Sequence, residues 1–303
     1  MSPQQPPFDL LAEAFLLLRS AFFVENATPL IYRLRDKRNT QDDPLDERIH
    51  KLLSEALPAG TICIKAPGPL ITPDLVIMRP TLCNGVPRGV LASDVSRIAA
   101  VEVKKLERTK GGGIARSSGM DYNTTPPCGT VRVYDQGGHA LDIRGFYLFV
   151  CQEAMRGPTG RYRLTALVLC DGDLLNADFA YYLSIVGERT KEIGLGTYGD
   201  GANRSRPMLI FANPLGAAEL DGKATLVHPR NHLARQSPLL RHVGLIKRRV
   251  TTGGQRTFHC YRLRDDVPAE HQDFELADPF PSPTRQVGTQ PRGRFRLEVR
   301  PAD

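Results

Sequence analysis

Two stretches of this chain are apolar on both of the faces that a strand presents, and they restrict the fold more than any other feature. Residues 145–152 (GFYLFVCQ) and 162–170 (YRLTALVLC) carry hydrophobic side chains at odd and even positions alike. Such strands must be covered on both sides, which places them centrally in a sheet flanked by helices. The chain has 303 residues, enough for one large domain or two modest ones and for a sizeable core. Gly and Pro together number 51, which argues for many loops and against a long helical bundle.

The remaining segments agree with a mixed sheet. Residues 8–24 (FDLLAEAFLLLRSAFFV) are apolar all round and read as a buried helix too short to span a membrane. Residues 44–57 place Leu45, Ile49, Leu52, Leu53 and Leu57 at helical spacing, with Pro44 at the start and Pro58-Ala59-Gly60 as the stop. The period then changes, and residues 61–65, 73–79 and 97–105 read as strands, with a Pro/Gly/Asn-rich loop at 80–96. A helix is expected at 173–193, a strand at 207–212 and a hairpin around Gly253-Gly254. The expected architecture is α/β, a mixed central sheet flanked by helices. Residues 1–270 would form the main domain, and 271–303 a Pro-rich linker and tail. There is no secretory leader pattern, and the six cysteines stand singly without metal-type spacing, so a reducing cytoplasm is the expected setting and no membrane partner is expected.

Charge is unevenly placed. The net charge is +7, yet residues 222–264 contain no Asp or Glu and hold ten Lys or Arg, so the rest of the chain nets −3. A segregated positive block attracts a polyanion by counterion release, although it also fits a solvated basic face. Six phosphate contacts from this block would give a log–log salt slope near about −5. Lys247, Arg248 and Arg249, just before the hairpin turn, form a possible phosphate clamp. His228 and His232 lack a third ligand and read as surface or phosphate-contacting residues in preference to a zinc site.

One constellation carries chemistry. Asp74 follows Pro73 at the start of an apolar strand, and Glu102 and Lys104 stand two apart on another. A strand points positions i and i+2 to one face, so Glu102 and Lys104 share a side while Val101 and Val103 face the core. Charges beside a core are costly unless they pair or hold a metal. Two carboxylates from neighbouring strands make an oxygen-rich pocket suited to Mg²⁺, and the ammonium can orient a water or offset phosphate charge. An ordinary salt bridge between Glu102 and Lys104 is the plainer account.

Pro73-Asp74, a gap of 27 residues, then Glu102-Val103-Lys104, resembles the PD-(D/E)xK nuclease signature. The segment that follows, Gly111–Thr130, is polar and too long for a simple connection, and its wording GMDYNTTPPCG resembles type II restriction endonucleases, in particular the NgoPII group that cuts GGCC. A structural loop of the Ω type is the alternative. The resemblance implies a restriction-endonuclease-like fold, Asp74 and Glu102 as metal ligands with the Val103 carbonyl, and Lys104 positioning the attacking water. Superfamily members often add an acid from the preceding helix, and Glu47 and Glu55 are the candidates, Glu55 being nearer the strands in sequence. Lys105 is the fallback if the register slips by one. DNA contacts are expected from Arg116, Ser117, Ser118, Asp121, Tyr122, Asn123, Thr124, Thr125, Arg132, Arg204 and Arg206 in addition to the 247–249 cluster.

The function implied is Mg²⁺-dependent hydrolysis of double-stranded DNA at a short palindromic site, leaving 5′-phosphate ends. A homodimer would match the palindrome, and a cognate DNA methyltransferase would protect the host. The alternatives are a structure-specific repair or recombination nuclease, and a DNA-binding regulator without catalysis.

Overall fold

Asp9 opens the first helix. Its carboxylate accepts the backbone N–H groups of Leu11 (2.9 Å) and Ala12 (3.3 Å), two of the donors a helix start leaves unmet. The resulting helix, α1 (Leu10–Phe22), buries Leu10, Leu11, Phe15, Leu18 and Phe22. The computed structural model describes residues 7–24, 27–39, 42–67, 73–83, 88–91, 93–107, 120–121, 129–135, 138–157, 159–175, 209–210, 225–249 and 254–278.

A short strand, β1 (Ile31–Arg33), follows, and then α2 (Pro44–Ala56), capped by Asp43, whose side chain accepts from Leu45 N. The strands β2 (Ile62–Lys65), β3 (Leu75–Met78) and β4 (Ile98–Glu107) come next, with two four-residue helices between the last two. Further on are β5 (Met120–Asp121), β6 (Thr130–Tyr134), β7 (Ala140–Ala154), β8 (Arg161–Asp171), β9 (Leu209–Ile210), β10 (Thr225–His228), β11 (Leu240–Arg249), β12 (Gln255–Leu263) and β13 (Phe274–Ala277). Among the described residues, eleven of these strands form one mixed sheet, ordered β13-β11-β12-β10-β8-β7-β4-β3-β2, with β1 against β8 and β6 against β7. β5 and β9 form a separate pair.

The doubly apolar strands β7 and β8 lie in the middle, as their sequence requires. Phe146, Leu148 and Val150 pack under α1 and α2, whereas Tyr147, Phe149 and Cys151 pack in a second core on the opposite face. β4 runs parallel to β7 and antiparallel to β3, so the sheet is mixed around the candidate residues. The architecture is therefore α/β, a large mixed sheet with a few helices over it.

Several segments differ from the sequence reading. β6, β10 and β13 arise where no strand was expected. The expected boundary at residue 270 falls before β13, which hydrogen-bonds in parallel to β11. Of the helix expected over 173–193, residues 172–175 are helical and the rest lie outside the described residues. The segment 279–303 also lies outside them. No described helix is long and apolar enough to cross a membrane.

Candidate active site

The site begins where β3 and β4 stop pairing. Their ladder runs from Met78↔Ile98 to Leu75↔Val101 and ends there, while β4 continues to Glu107. One step further in the same register Asp74 faces Glu102, and one step beyond that Pro73 faces Val103. Pro73 has no N–H, so it cannot give the Val103 carbonyl a ladder bond. The Val103 N–H is instead taken by the Asp74 carboxylate, at 2.7 Å to Oδ2. A strand residue's N–H and C=O point to the same side. The Val103 carbonyl therefore faces the Asp74 side of the gap.

Glu102 and Lys104 share a face of β4, as the period of two demands. Lys104 Nζ donates to Glu102 Oε1 at 3.1 Å, and both side chains are 13% exposed. Val101 and Val103 pack on the other side with the core under the helices. The second oxygen, Glu102 Oε2, is buried with no hydrogen-bond partner among the described residues. An unmet carboxylate oxygen beside a second carboxylate is expensive unless a cation joins it.

Burial and neighbouring charge shift the acids of the site. Burial, then the nearby Glu102 and Asp46 carboxylates, push the Asp74 carboxyl up to about 8, against the pull of the Val103 N–H and Lys104. Burial and the Asp43 carboxylate raise Asp46 to about 7, with Glu102 adding to the rise and Lys65 and Lys105 opposing it. Shifted carboxyl groups cluster at functional sites and arise in structural ion-pair networks too.

Of the acids on α2 it is Asp46, not Glu47 or Glu55, whose charge acts on Asp74. Glu55 lies nine residues beyond Asp46, about half a turn around the helix at 100° per residue. It is exposed and sits 3.8 Å from Lys51. Glu47 is exposed and bound by Arg35, which also holds Asp42. Lys105 turns to the face opposite Lys104, where its ammonium donates to the cap residue Asp43 at 2.9 Å. The signal for Asp46 was present in the sequence. It stands three before Ile49 and seven before Leu53, the buried stripe of α2, and so shares the face that meets the sheet.

No protein family matches this chain, and no characterised protein or solved structure is significantly similar to it.

The expected DNA contacts fare unevenly. Arg116, Ser117, Ser118, Tyr122, Asn123, Thr124, Thr125, Arg204 and Arg206 lie outside the described residues, and of Asp121 only its place in β5 is described. Arg132 forms a two-pronged pair with Asp142 across β6 and β7 (2.7 and 3.0 Å). The hairpin is present, as β11 and β12, and the described cations near its turn meet acids. Lys247 donates to Glu275 at 2.5 Å, and Arg248 is buried, 3.8 Å from Asp278, so it is not the exposed clamp residue expected. The side chain of Arg249 lies outside the described residues.

Elsewhere in the acid-free block the pairing is partial. Arg230 pairs with Asp94 and Asp9, and Arg256 with Asp173. Arg241, Arg262 and Arg264 donate to backbone carbonyls. Some of the acid absent from the block in sequence is supplied by the fold, while the exposed Arg235 and Arg264 have no carboxylate within ion-pair distance among the described residues. His228 is not a surface residue either: it is fully buried, stacked on Phe146 and 3.3 Å from Asp9.

The donor set suits a hard cation. Among the described residues no three acidic, imidazole or thiol side chains converge closely enough to cage an ion unaided. Mg²⁺ does not need that: it is commonly held by one or two carboxylates and keeps several waters. Asp74, the unmet Glu102 oxygen and the Val103 carbonyl supply such a partial set.

Proposed function

We propose that this chain is a Mg²⁺-dependent deoxyribonuclease with a restriction-endonuclease-like fold, a type II restriction endonuclease that cuts double-stranded DNA at a short palindromic site. The observation that carries this reading is the gathering of Asp74, Glu102 and Lys104 at the point where β3 and β4 part, with the Asp46 carboxylate near enough to act on Asp74. GGCC is the first sequence to test, on the resemblance of residues 119–129. A homodimer and a protecting methyltransferase belong to the same proposal.

The residues divide the work. Asp74, Glu102 and the Val103 carbonyl would hold the ion, with Asp46 beside them. When bound, Mg²⁺ supplies neutralising charge at the scissile phosphate and a more acidic water. Glu102 holds the Lys104 ammonium through the 3.1 Å hydrogen bond, and that ammonium would orient water or meet phosphate oxygens. In-line attack by that water on phosphorus would break the bond to the 3′-oxygen, leaving a 5′-phosphate and a 3′-hydroxyl.

The decisive experiment incubates the protein with phage DNA and Mg²⁺ and sequences the fragment ends. Discrete ends sharing one short motif are expected from the wild type, none from Asp74→Ala, and duplex binding in Ca²⁺ should persist in that variant. Wild-type protein that binds DNA and never cuts it would favour the non-catalytic regulator instead.

A further inference from the structure

We propose that a basic corner formed by Arg33, Lys37, Arg38, Arg156 and Arg161 is the surface that grips the phosphate backbone of duplex DNA beside the site. This rests on the nuclease reading above, but it moves the backbone contact away from the acid-free block.

Among the described residues, these five cations have no carboxylate within ion-pair distance. Arg33, Lys37, Arg38 and Arg156 are exposed, and Arg161 is half-buried. Their neighbours show that the omission is local. Arg35 is neutralised by Asp42 and Glu47, and Arg163 by Glu153 at 2.8 Å. Against the five cations stand Asp36 and the one charge by which Asp42 and Glu47 together exceed Arg35, and the corner keeps a positive excess.

The register makes the excess deliberate in energetic terms. Arg33 stands directly opposite Arg161 in the β1–β8 ladder. Like charges directly opposite on a sheet are destabilising, and an anion between them removes the penalty. Arg156 sits in the turn joining β7 to β8, where Met155 N donates to the carbonyl of Arg161 (2.9 Å).

Within the corner, Arg33 and Arg161 face the right way. Tyr32 and Tyr162, paired in the same ladder, turn into the core beneath α1. By alternation Arg33 and Arg161 turn to the opposite face, the one that carries Glu102 and Lys104. β4 and β7 run parallel with Lys104 beside Phe149, so the β7–β8 turn lies at the same end of the sheet as the site. Six residues along and two strands across is about 20 Å, a few phosphates along one DNA strand. From Arg33 the connector carries Lys37 and Arg38 towards Asp43, the cap of the helix that holds Asp46.

The test is the salt dependence of binding to a labelled 30-base-pair duplex in Ca²⁺. Each lost phosphate contact lowers the log–log slope by about 0.9, so R33Q/K37Q/R38Q should reduce it by about 2 to 3. Lys247→Gln should leave it unchanged, since Glu275 already holds that charge. R33Q alone should melt no lower than wild type, because it relieves the pairing with Arg161. Tight wild-type binding with an unaltered slope in the triple variant would overturn the corner while sparing the nuclease reading. A wild type with no affinity for any duplex at low salt would overturn that reading itself.

Discussion

At the scale of single residues, the informative group is Asp74. Its carboxyl is held at about 8 by burial and by the neighbouring Glu102 and Asp46 carboxylates, whereas an unfolded aspartate ionises near 4. A raised folded-state value means that the native protein binds the extra proton between those limits. The contribution is thus fully present below about pH 4 and is lost as the pH rises through about 8. Asp74→Asn keeps the shape and an oxygen for the Val103 N–H while removing the charge. In EDTA it should be more stable than wild type by at least about 1 kcal/mol at pH 8, and the gain should vanish near pH 4, as read by thermal melts across that range. The helix acid gives a second test. Asp46→Asn should weaken metal-dependent cleavage by roughly 10- to 100-fold, while Glu55→Gln, on the far side of α2, should stay within about twofold. Equal losses in the two would remove Asp46 from the site.

Elements position these residues, and here the clamp between α2 and β4 matters. Asp43 caps α2 with one oxygen and holds Lys105 with the other. Lys105→Ala should therefore lower the melting temperature and weaken Mn²⁺ binding by titration, whereas Lys105→Arg, which keeps the ion pair, should restore both. The elements that frame the site were legible beforehand because their signals are local: the heptad-like stripe of α2, the alternation of β2 to β4 and the punctuation by Pro and Gly. β6 and β10 were not, because each is four or five residues long and is stabilised by long partners, β7 on one side and β8 and β12 on the other. Short strands of that kind carry little period of their own. The acid-free block is less one-sided in space than in sequence for a related reason. Charge balance is a property of space, and Asp9, Asp94, Asp173, Glu275 and Asp278 reach the block from far along the chain. For Asp46, the angle on α2 and not the distance from the strands in sequence decides which acid meets the sheet.

For the whole molecule, the two ends of the described chain are tied together. Arg19 of α1 and Asp266, just after β12, form an ion pair at 2.5 Å with side chains 1% and 2% exposed. Asp266 also accepts the N–H of Ala27, which sits at a positive φ of 57°. Removing one partner of a buried pair leaves an uncompensated charge, so Asp266→Ala should cost about 3–5 kcal/mol, seen as a lower denaturant midpoint with an unchanged slope. Replacing Arg19 and Asp266 together by apolar residues should recover most of that loss. Retention of full stability in the single variant would mean that the ends are held elsewhere.

Adjacent strands in a sheet are rotated by about 20–25°, and five steps separate β4 from β11 in this one. The rim at β3 and β4 and the ribbon of β11 and β12 therefore look out in directions roughly at right angles. Duplex DNA behaves as a stiff rod over such lengths, with a persistence length of about 50 nm. A straight rod laid across one outlook cannot also lie along the other, so the twist leaves the β11–β12 ribbon turned towards a separate neighbour or towards open solvent.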